Sequence, residues 1–432
     1  MSPAALRRLA LQCAQAEGCE LAGIAPAGEF PYLRHFPAWI AAGRHGEMHY
    51  LEREATPGAS PTAPASPAAP ASGSGSAPPG PPAPPDPQYL RADLRQAFPW
   101  ARSVLCCALS YNAPGPRSTS ARPPGHGWIA RYAWGDDYHQ VFVAKLRAIA
   151  ARLAAGAGWA PDSLRPAVEP AGAQPRQPRG GSGKAPNSAA PRIYVDTGPL
   201  VERVVAYHAG LGWIGKNTCL IHPRIGSFFY LGVILLADEI EPDEPLPDRC
   251  GSCTRCIQAC PTGALTPYQM DARRCLAYLN LELRGPIPAE FRAAMGDNVI
   301  GCDICQDVCP WNEKAGPALL APELAPRPER VAPSLAALAG MSEEDYRRAF
   351  RGSAVKRAKY IGLLRNLAVA LGNNPSPETH TILAQLAQHS HPMVREHAAW
   401  ALARLRQQGD APDPALDAVA APAHNAKQSA RN

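Results

Sequence analysis

The sequence predicts an α+β chain in three parts: a mixed domain of strands and helices, a compact cysteine-bearing metal domain, and an all-helical repeat. Three observations predict it. Short apolar runs of strand length alternate with helical periodicity up to about residue 245. Eight of the thirteen cysteines fall between positions 250 and 309. From 341 to 406 the pattern is helical throughout, and Arg365-x-x-Ala368 returns 30 residues later as Arg395-x-x-Ala398. With 432 residues the chain can bury two to three cores. The parts occupy 1–245, 246–320 and 335–408, and 409–432 reads as a loose tail.

Leu6, Leu9, Ala10 and Cys13 open the chain at helical spacing. Proline then dominates: 49 residues in all, twelve of them within 57–87 among Ala, Ser and Gly. Such a composition cannot bury enough apolar surface to offset its ordering entropy, so 56–88 is a disordered insert. A second insert of the same kind covers 160–191. Ser103–Leu109 is a continuous apolar run, a buried strand. Residues 112–125, rich in Pro, Gly and Ser, read as a surface loop, and Tyr138–Leu153 as a helix. Ile193–Thr197 is a strand ending in a loop, Val201–Ala209 a helix, Gly210–Asn217 a glycine-rich loop and Phe228–Leu236 a buried strand.

Composition excludes several classes. No run of about 18 apolar residues exists, so no membrane span is expected. The start, Met1-Ser2-Pro3-Ala4-Ala5-Leu6-Arg7-Arg8, lacks an apolar signal core, which predicts a cytoplasmic protein. Thirteen cysteines in that compartment argue for ligation over disulfides. A net charge of +6 is too mild to imply a nucleic-acid partner by itself.

Cys250-x-x-Cys253-x-x-Cys256-x-x-x-Cys260-Pro261 is the strongest motif. Three thiolates two residues apart wrap one corner of a cubane, and the cysteine before proline reaches a second cluster. Cys302-x-x-Cys305-x-x-x-Cys309-Pro310 repeats the pattern one cysteine short, and Cys275 supplies it. The crossing rule of two-cluster ferredoxins then assigns Cys250, Cys253, Cys256 and Cys309 to one [4Fe–4S] cluster. It assigns Cys260, Cys275, Cys302 and Cys305 to the other. Two Cys₄ zinc sites are the alternative, but zinc ribbons show separated C-x-x-C pairs. Cys13, Cys19, Cys106, Cys107 and Cys219 have no ligand spacing and read as buried small hydrophobes. Two clusters form a wire for single electrons, so the upstream part should hold a catalytic cofactor.

Several upstream segments resemble the epoxyqueuosine reductase family. They are His45-Gly46-Glu47-Met48, Arg131-Tyr132-Ala133-Trp134-Gly135-Asp136-Asp137-Tyr138-His139 and Val195-Asp196-Thr197-Gly198-Pro199-Leu200-Val201-Glu202-Arg203. Ala209 through Asn217, Gly226-Ser227-Phe228-Phe229 and both cysteine sets, the second running into Trp311-Asn312, continue the match. The resemblance implies a nitroreductase-like cobalamin domain, a ferredoxin-like two-cluster domain and a HEAT-like helical tail. It implies base-off cobalamin and two-electron reduction of an epoxide on the modified wobble base of tRNA, with loss of water. The proline-rich stretches depart from the family between motifs and should only lengthen surface loops.

The resemblance also carries residues over. Asp196 matches the general acid, which must stay protonated to serve a departing oxygen; read alone, it could instead cap the Val201–Ala209 helix. Arg53 matches a cobalamin contact. Tyr132 and Tyr138 line the pocket or pack as aromatics. Lys216, Leu220 and Ser227 are placed beside the corrin, whose flat face the glycines of 210–217 let the backbone approach. His139 and His208 are structural. Residues 341–406 hold ten Lys or Arg against five acids, a basic face suited to an RNA backbone. The implied partners are tRNA and a low-potential donor such as flavodoxin or ferredoxin, serving a monomer. The competing readings are a cobalamin reductase of a small molecule, similar to reductive dehalogenases, and a plain electron carrier.

Overall fold

The structure, a computed structural model, describes residues 1–54, 89–159, 190–318 and 321–409. The expected insert at 56–88 lies outside these residues, as do 160–189 of the second insert and 410–432 of the tail. The chain forms two compact units. The first comprises 1–107, 146–211 and 231–245, and the second 108–145, 212–230 and 246–432.

In the first unit, helix α1 (Pro3–Ala16) starts at Ser2, whose side chain accepts from the Ala5 amide, with proline in the first turn. It buries Leu6, Ala10, Cys13 and Ala14, the face its periodicity indicates. Strand β1 (Leu21–Pro26) follows, an element the sequence reading did not foresee. It joins β2 (Ser103–Ser110), β3 (Arg192–Tyr194) and β4 (Phe229–Leu236) in a sheet of order β1-β2-β4-β3. Strands β3 and β4 are antiparallel, with Arg192 opposite Leu235 and Tyr194 opposite Val233. All eight residues of β2 are buried, so the strand is covered on both faces, as its unbroken apolar run requires.

Helix α2 (Glu202–His208) packs on β1. Gly23 permits it: a Cβ there would sit 2.0 Å from the Ala209 carbonyl oxygen. The chain after β4 is tied back by polar bonds. Ser103 Oγ accepts from the Ile240 amide at 2.9 Å, and Asp243 accepts from the Ile24 amide at 2.8 Å while pairing with Arg7.

The second unit has a core built on Trp128, Trp134, Leu335, Leu363, Leu367 and Leu405. Helices α3 (Lys359–Asn373), α4 (Thr379–Ala387) and α5 (Pro392–Gln407) form the repeat. Arg365 does not face solvent as a cation. It is 1% exposed and donates to the carbonyls of Leu279, Leu283 and Gly285. Burying a guanidinium demands such partners. Asn366 beside it donates to the carbonyls of Asn280 and Val299 at 2.8 and 2.9 Å, and Asn373 donates to those of Arg292 and Gly296.

Segment 112–125 is the irregular surface loop its composition indicates, and it is pinned by side chains. Ser118 is buried and gives both its amide and its hydroxyl to Asp307, each at 2.6 Å. Arg122 pairs with Asp297. Its Pro and Gly content signals irregular backbone, and here side-chain partners hold that backbone in place. No helix among the described residues is long and apolar enough to cross a membrane.

Candidate functional site

None of the eight cysteines of 250–309 is in a disulfide. Several of them act on one another. Burial, then Cys250 and later Cys253, push the Cys256 thiol up; Cys309 is pushed up to about 11, first by burial, with Cys250 among its neighbours. Burial raises Cys302 well above its ordinary value, followed by Cys275 and then Cys260. Cys275 is raised first by burial and feels Cys260. The thiol of Cys305 is raised by a hydrogen bond with Cys219, by burial, and by Cys302 and Cys275. Cys219 is therefore no buried hydrophobe; it is half-buried and acts on Cys275, Cys305 and Cys309, and Cys19 is also half-buried.

Among the described residues, His45, His49 and Glu52 bring their ligand atoms within 4.8 Å of one another. The His45 set is a hydrogen-bonded trio: Glu52 Oε1 meets His45 Nε2 at 2.5 Å and His49 Nδ1 at 3.2 Å.

Different forces hold the two cysteine loops. Lys216 donates to the carbonyls of Gly251 at 2.6 Å and Cys253 at 3.1 Å. The second loop rests on a buried polar network. Asp303 accepts from Trp128 Nε1 at 3.1 Å and the Arg131 amide at 2.7 Å. Burial first, and then Asp307, push its carboxyl up to about 7. Asn312 Oδ1 accepts from the Ser227 amide at 2.6 Å, while its Nδ2 donates to Ser227 Oγ at 2.9 Å. Gln306 donates to Ser227 Oγ at 3.1 Å. Gly226, at φ +70°, lies under Asn312, where a Cβ would come within 2.0 Å of Oδ1.

Three residues expected beside a corrin also hold the chain itself. Lys216 and Ser227 brace the cysteine loops, and Leu220 is buried in a short hairpin against Ile214. The glycines of 210–217 likewise admit the chain's own atoms. A Cβ on Gly212 would meet the Ile221 carbonyl oxygen at 2.4 Å, and one on Gly215 would meet Ile221 Cδ1 at 2.5 Å. The side chains of Arg53 and Tyr132 are half-buried, and Asp196 is exposed. Tyr230 Oη donates to the Tyr132 carbonyl at 2.5 Å, and its ring stacks on Tyr138 at 4.3 Å.

In the first unit, Asp196 follows β3 with φ +58°, a left-handed conformation that costs a non-glycine residue about 1–2 kcal/mol. It does not cap α2, whose N-cap is Val201 without a side-chain bond. Arg91 holds the loop: one Nη donates to the Gly198 carbonyl at 2.8 Å and the other to the Tyr50 carbonyl at 3.0 Å. The Arg53 carbonyl accepts from the Leu90 amide at 2.9 Å, which sets the Arg53 segment alongside. Glu202, in the first turn of α2, was not singled out by the sequence reading. Burial first, then Asp196, push its carboxyl up to about 8, and its Oε1 is buried with no hydrogen-bond partner. The available signal was an acid six residues after Asp196 at the head of an apolar helix.

The repeat's charge is paired in part. Arg347 meets Glu343 at 2.6 Å, Arg348 meets Asp345, and Arg357 meets Glu282 at 2.6 Å. Arg351, Lys356 and Lys359 stand exposed on one short segment.

A family model described as "4Fe-4S double cluster binding domain" matches residues 249–312. One described as "Epoxyqueuosine reductase QueG, DUF1730" matches 91–168, and HEAT repeats match 357–431. The epoxyqueuosine reductase of Pseudomonas aeruginosa is 34% identical over 394 residues, 90% of this chain and 91% of that protein. That of Escherichia coli is 35% identical over 317 residues, 73% of this chain and 76% of that protein. Among solved structures, an epoxyqueuosine reductase with an epoxyqueuosine-modified tRNA-Tyr stem loop aligns at TM-score 0.70 and 26% identity, over 96% of this chain and 97% of that one. A Bacillus subtilis epoxyqueuosine reductase, described with its catalytic loop swung out of the active site, aligns at TM-score 0.68 and 25% identity over the same shares.

Proposed function

The chain belongs to the epoxyqueuosine reductase family, and from that premise we propose that it reduces epoxyqueuosine to queuosine at the wobble position of tRNA. The observation that carries this reading is the double-cluster domain matched over 249–312, which contains all eight cysteines of 250–309. Two [4Fe–4S] clusters suit a reaction that consumes electrons one at a time. The exposed Gly251, Ser252 and Arg255 of the first loop support electron entry there, from a flavodoxin- or ferredoxin-class donor. The exposed cations Arg351, Lys356 and Lys359 support an RNA backbone contact.

Base-off cobalamin is the second cofactor of this proposal, supported by the family; when bound, it supplies a low-valent cobalt that delivers electrons to the epoxide. Arg53 and Asp196 of the first unit are the residues that would hold it, as the family resemblance implies. An arginine at such a position pairs with propionamide oxygens or phosphate. Asp196 is exposed on a loop that Arg91 fixes, which supports its role as the acid. Its left-handed backbone, kept against a cost, marks the loop as arranged for a purpose. The protein acts as a cytoplasmic monomer in this reading.

The test is turnover followed by nucleoside mass spectrometry. Anaerobically reconstituted protein with cobalamin, a low-potential reductant and tRNA bearing epoxyqueuosine should convert that nucleoside to queuosine, with loss of one oxygen atom. Asp196→Asn should lower the rate by about 10²–10⁴-fold, the range for a general acid. No conversion by protein with intact clusters and bound corrin would overturn the reading.

A further inference from the structure

Opening an epoxide to an alkene and water consumes two electrons and two protons. One C–O bond breaks and the oxygen takes the first proton; the second C–O bond breaks as the hydroxyl takes the second and leaves as water, while the C=C bond forms. The electrons come from the low-potential donor through the clusters. Asp196 holds one proton at a time, so it must be recharged once within each turnover.

Glu202 lies where a source is needed. It heads α2 in the same first unit, six residues after Asp196. Its Oε1 is buried and has no hydrogen-bond partner among the described residues, which disfavours the ionised form. The groups that act on it are Asp196, its own backbone amide, Arg91 and Arg203, and it acts in turn on the Cys106 thiol of β2. Burial and Asp196 raise its affinity for a proton, and the two arginines oppose them without prevailing.

We propose that Glu202 is the second proton store: it passes its proton to Asp196 after Asp196 has protonated the epoxide oxygen, and Asp196 then protonates the departing hydroxyl. Both carboxylates recover protons from water between turnovers. Glu202 acts through Asp196 and does not touch the substrate. The inference rests on Asp196 being the acid of the proposed function.

With a carboxyl that ionises near pH 8, wild-type kcat should be high below that pH and fall above it. Glu202→Gln keeps the shape and cannot give up a proton. It should lower kcat by roughly 10–100-fold, leave the KM for tRNA within about 2-fold, and abolish that falling limb. Glu202→Asp should restore part of kcat with a limb at a shifted pH. Independently of turnover, difference infrared spectroscopy of the wild-type protein at pH 7 should show a protonated carboxyl band that Glu202→Gln removes. If Asp196→Asn is inactive while Glu202→Gln retains wild-type kcat and pH limb, the proton store is overturned and the function stands. The same holds if Glu202→Gln leaves the infrared band unchanged. If Asp196→Asn itself turns over normally, the function's acid is wrong and the inference falls with it.

Discussion

The first cysteine loop, 250–256, leaves Gly251, Ser252 and Arg255 exposed and is braced by the ammonium of Lys216; the second, 302–309, exposes no residue and is braced by Asp303, Asp307, Gln306 and Asn312. Both must present thiolates at fixed spacing to the same kind of inorganic core. The difference shows how one chemical motif is served by two energetic regimes. Buried hydrogen bonds to a charged group contribute about 1.5–3 kcal/mol each, and breaking one strands its partner. A lysine on carbonyls near water contributes far less. The second loop is therefore organised before iron arrives. The first has fewer bonds of its own and depends more on its metal.

The largest expected break in this contrast is Asp303→Ala. It leaves Trp128 Nε1 and the Arg131 amide buried without an acceptor and should cost about 2–5 kcal/mol. Calorimetry should show a melting temperature lowered by roughly 5–15 °C. Gly226→Ala comes next. Its φ of +70° costs an alanine about 1–2 kcal/mol, and the new methyl must displace Asn312, which braces Ser227. Purified protein should retain less iron, with the deficit at the second cysteine loop. Lys216→Met should cost only about 0.5–1.5 kcal/mol and leave melting nearly unchanged. Under chelator challenge it should nevertheless lose the first cluster sooner than wild type. Arg255→Gln, at the rim, should alter stability by less than about 0.5 kcal/mol. Its effect should appear in the salt dependence of reduction by an acidic donor protein, and a flat response would place electron entry elsewhere.

Regular periodicity was legible. The apolar run at Ser103–Ser110 and the helical face of Leu6, Ala10 and Cys13 appear in the structure as the pattern indicates. Leu21–Pro26 was not legible as a strand, because six residues with a glycine and a terminal proline alternate too weakly. Function-bearing roles were harder to read than elements. Arg365 looks like any surface cation until its three carbonyl partners are seen, for they lie about 80 residues away in the chain. Lys216 and the glycines of 210–217 suggest a ligand cradle, yet the atoms they accommodate belong to Ile221, Gly251 and Cys253. Glu202 carries no motif of its own. Its state depends on burial and on Asp196, and neither is a property of sequence spacing.

The buried amides and guanidinium of α3 bear on how such a protein can be cut. Removing 341–432 seems a clean way to separate substrate docking from reduction. Yet Arg365, Asn366 and Asn373 are the partners of seven backbone carbonyls between Leu279 and Val299. A truncated chain would face the solvent, or itself, with a row of unanswered acceptors beside Cys275 and Cys302. The repeat is a wall of the metal-bearing unit, so chimeras that exchange it between relatives must carry the 276–301 stretch along with it.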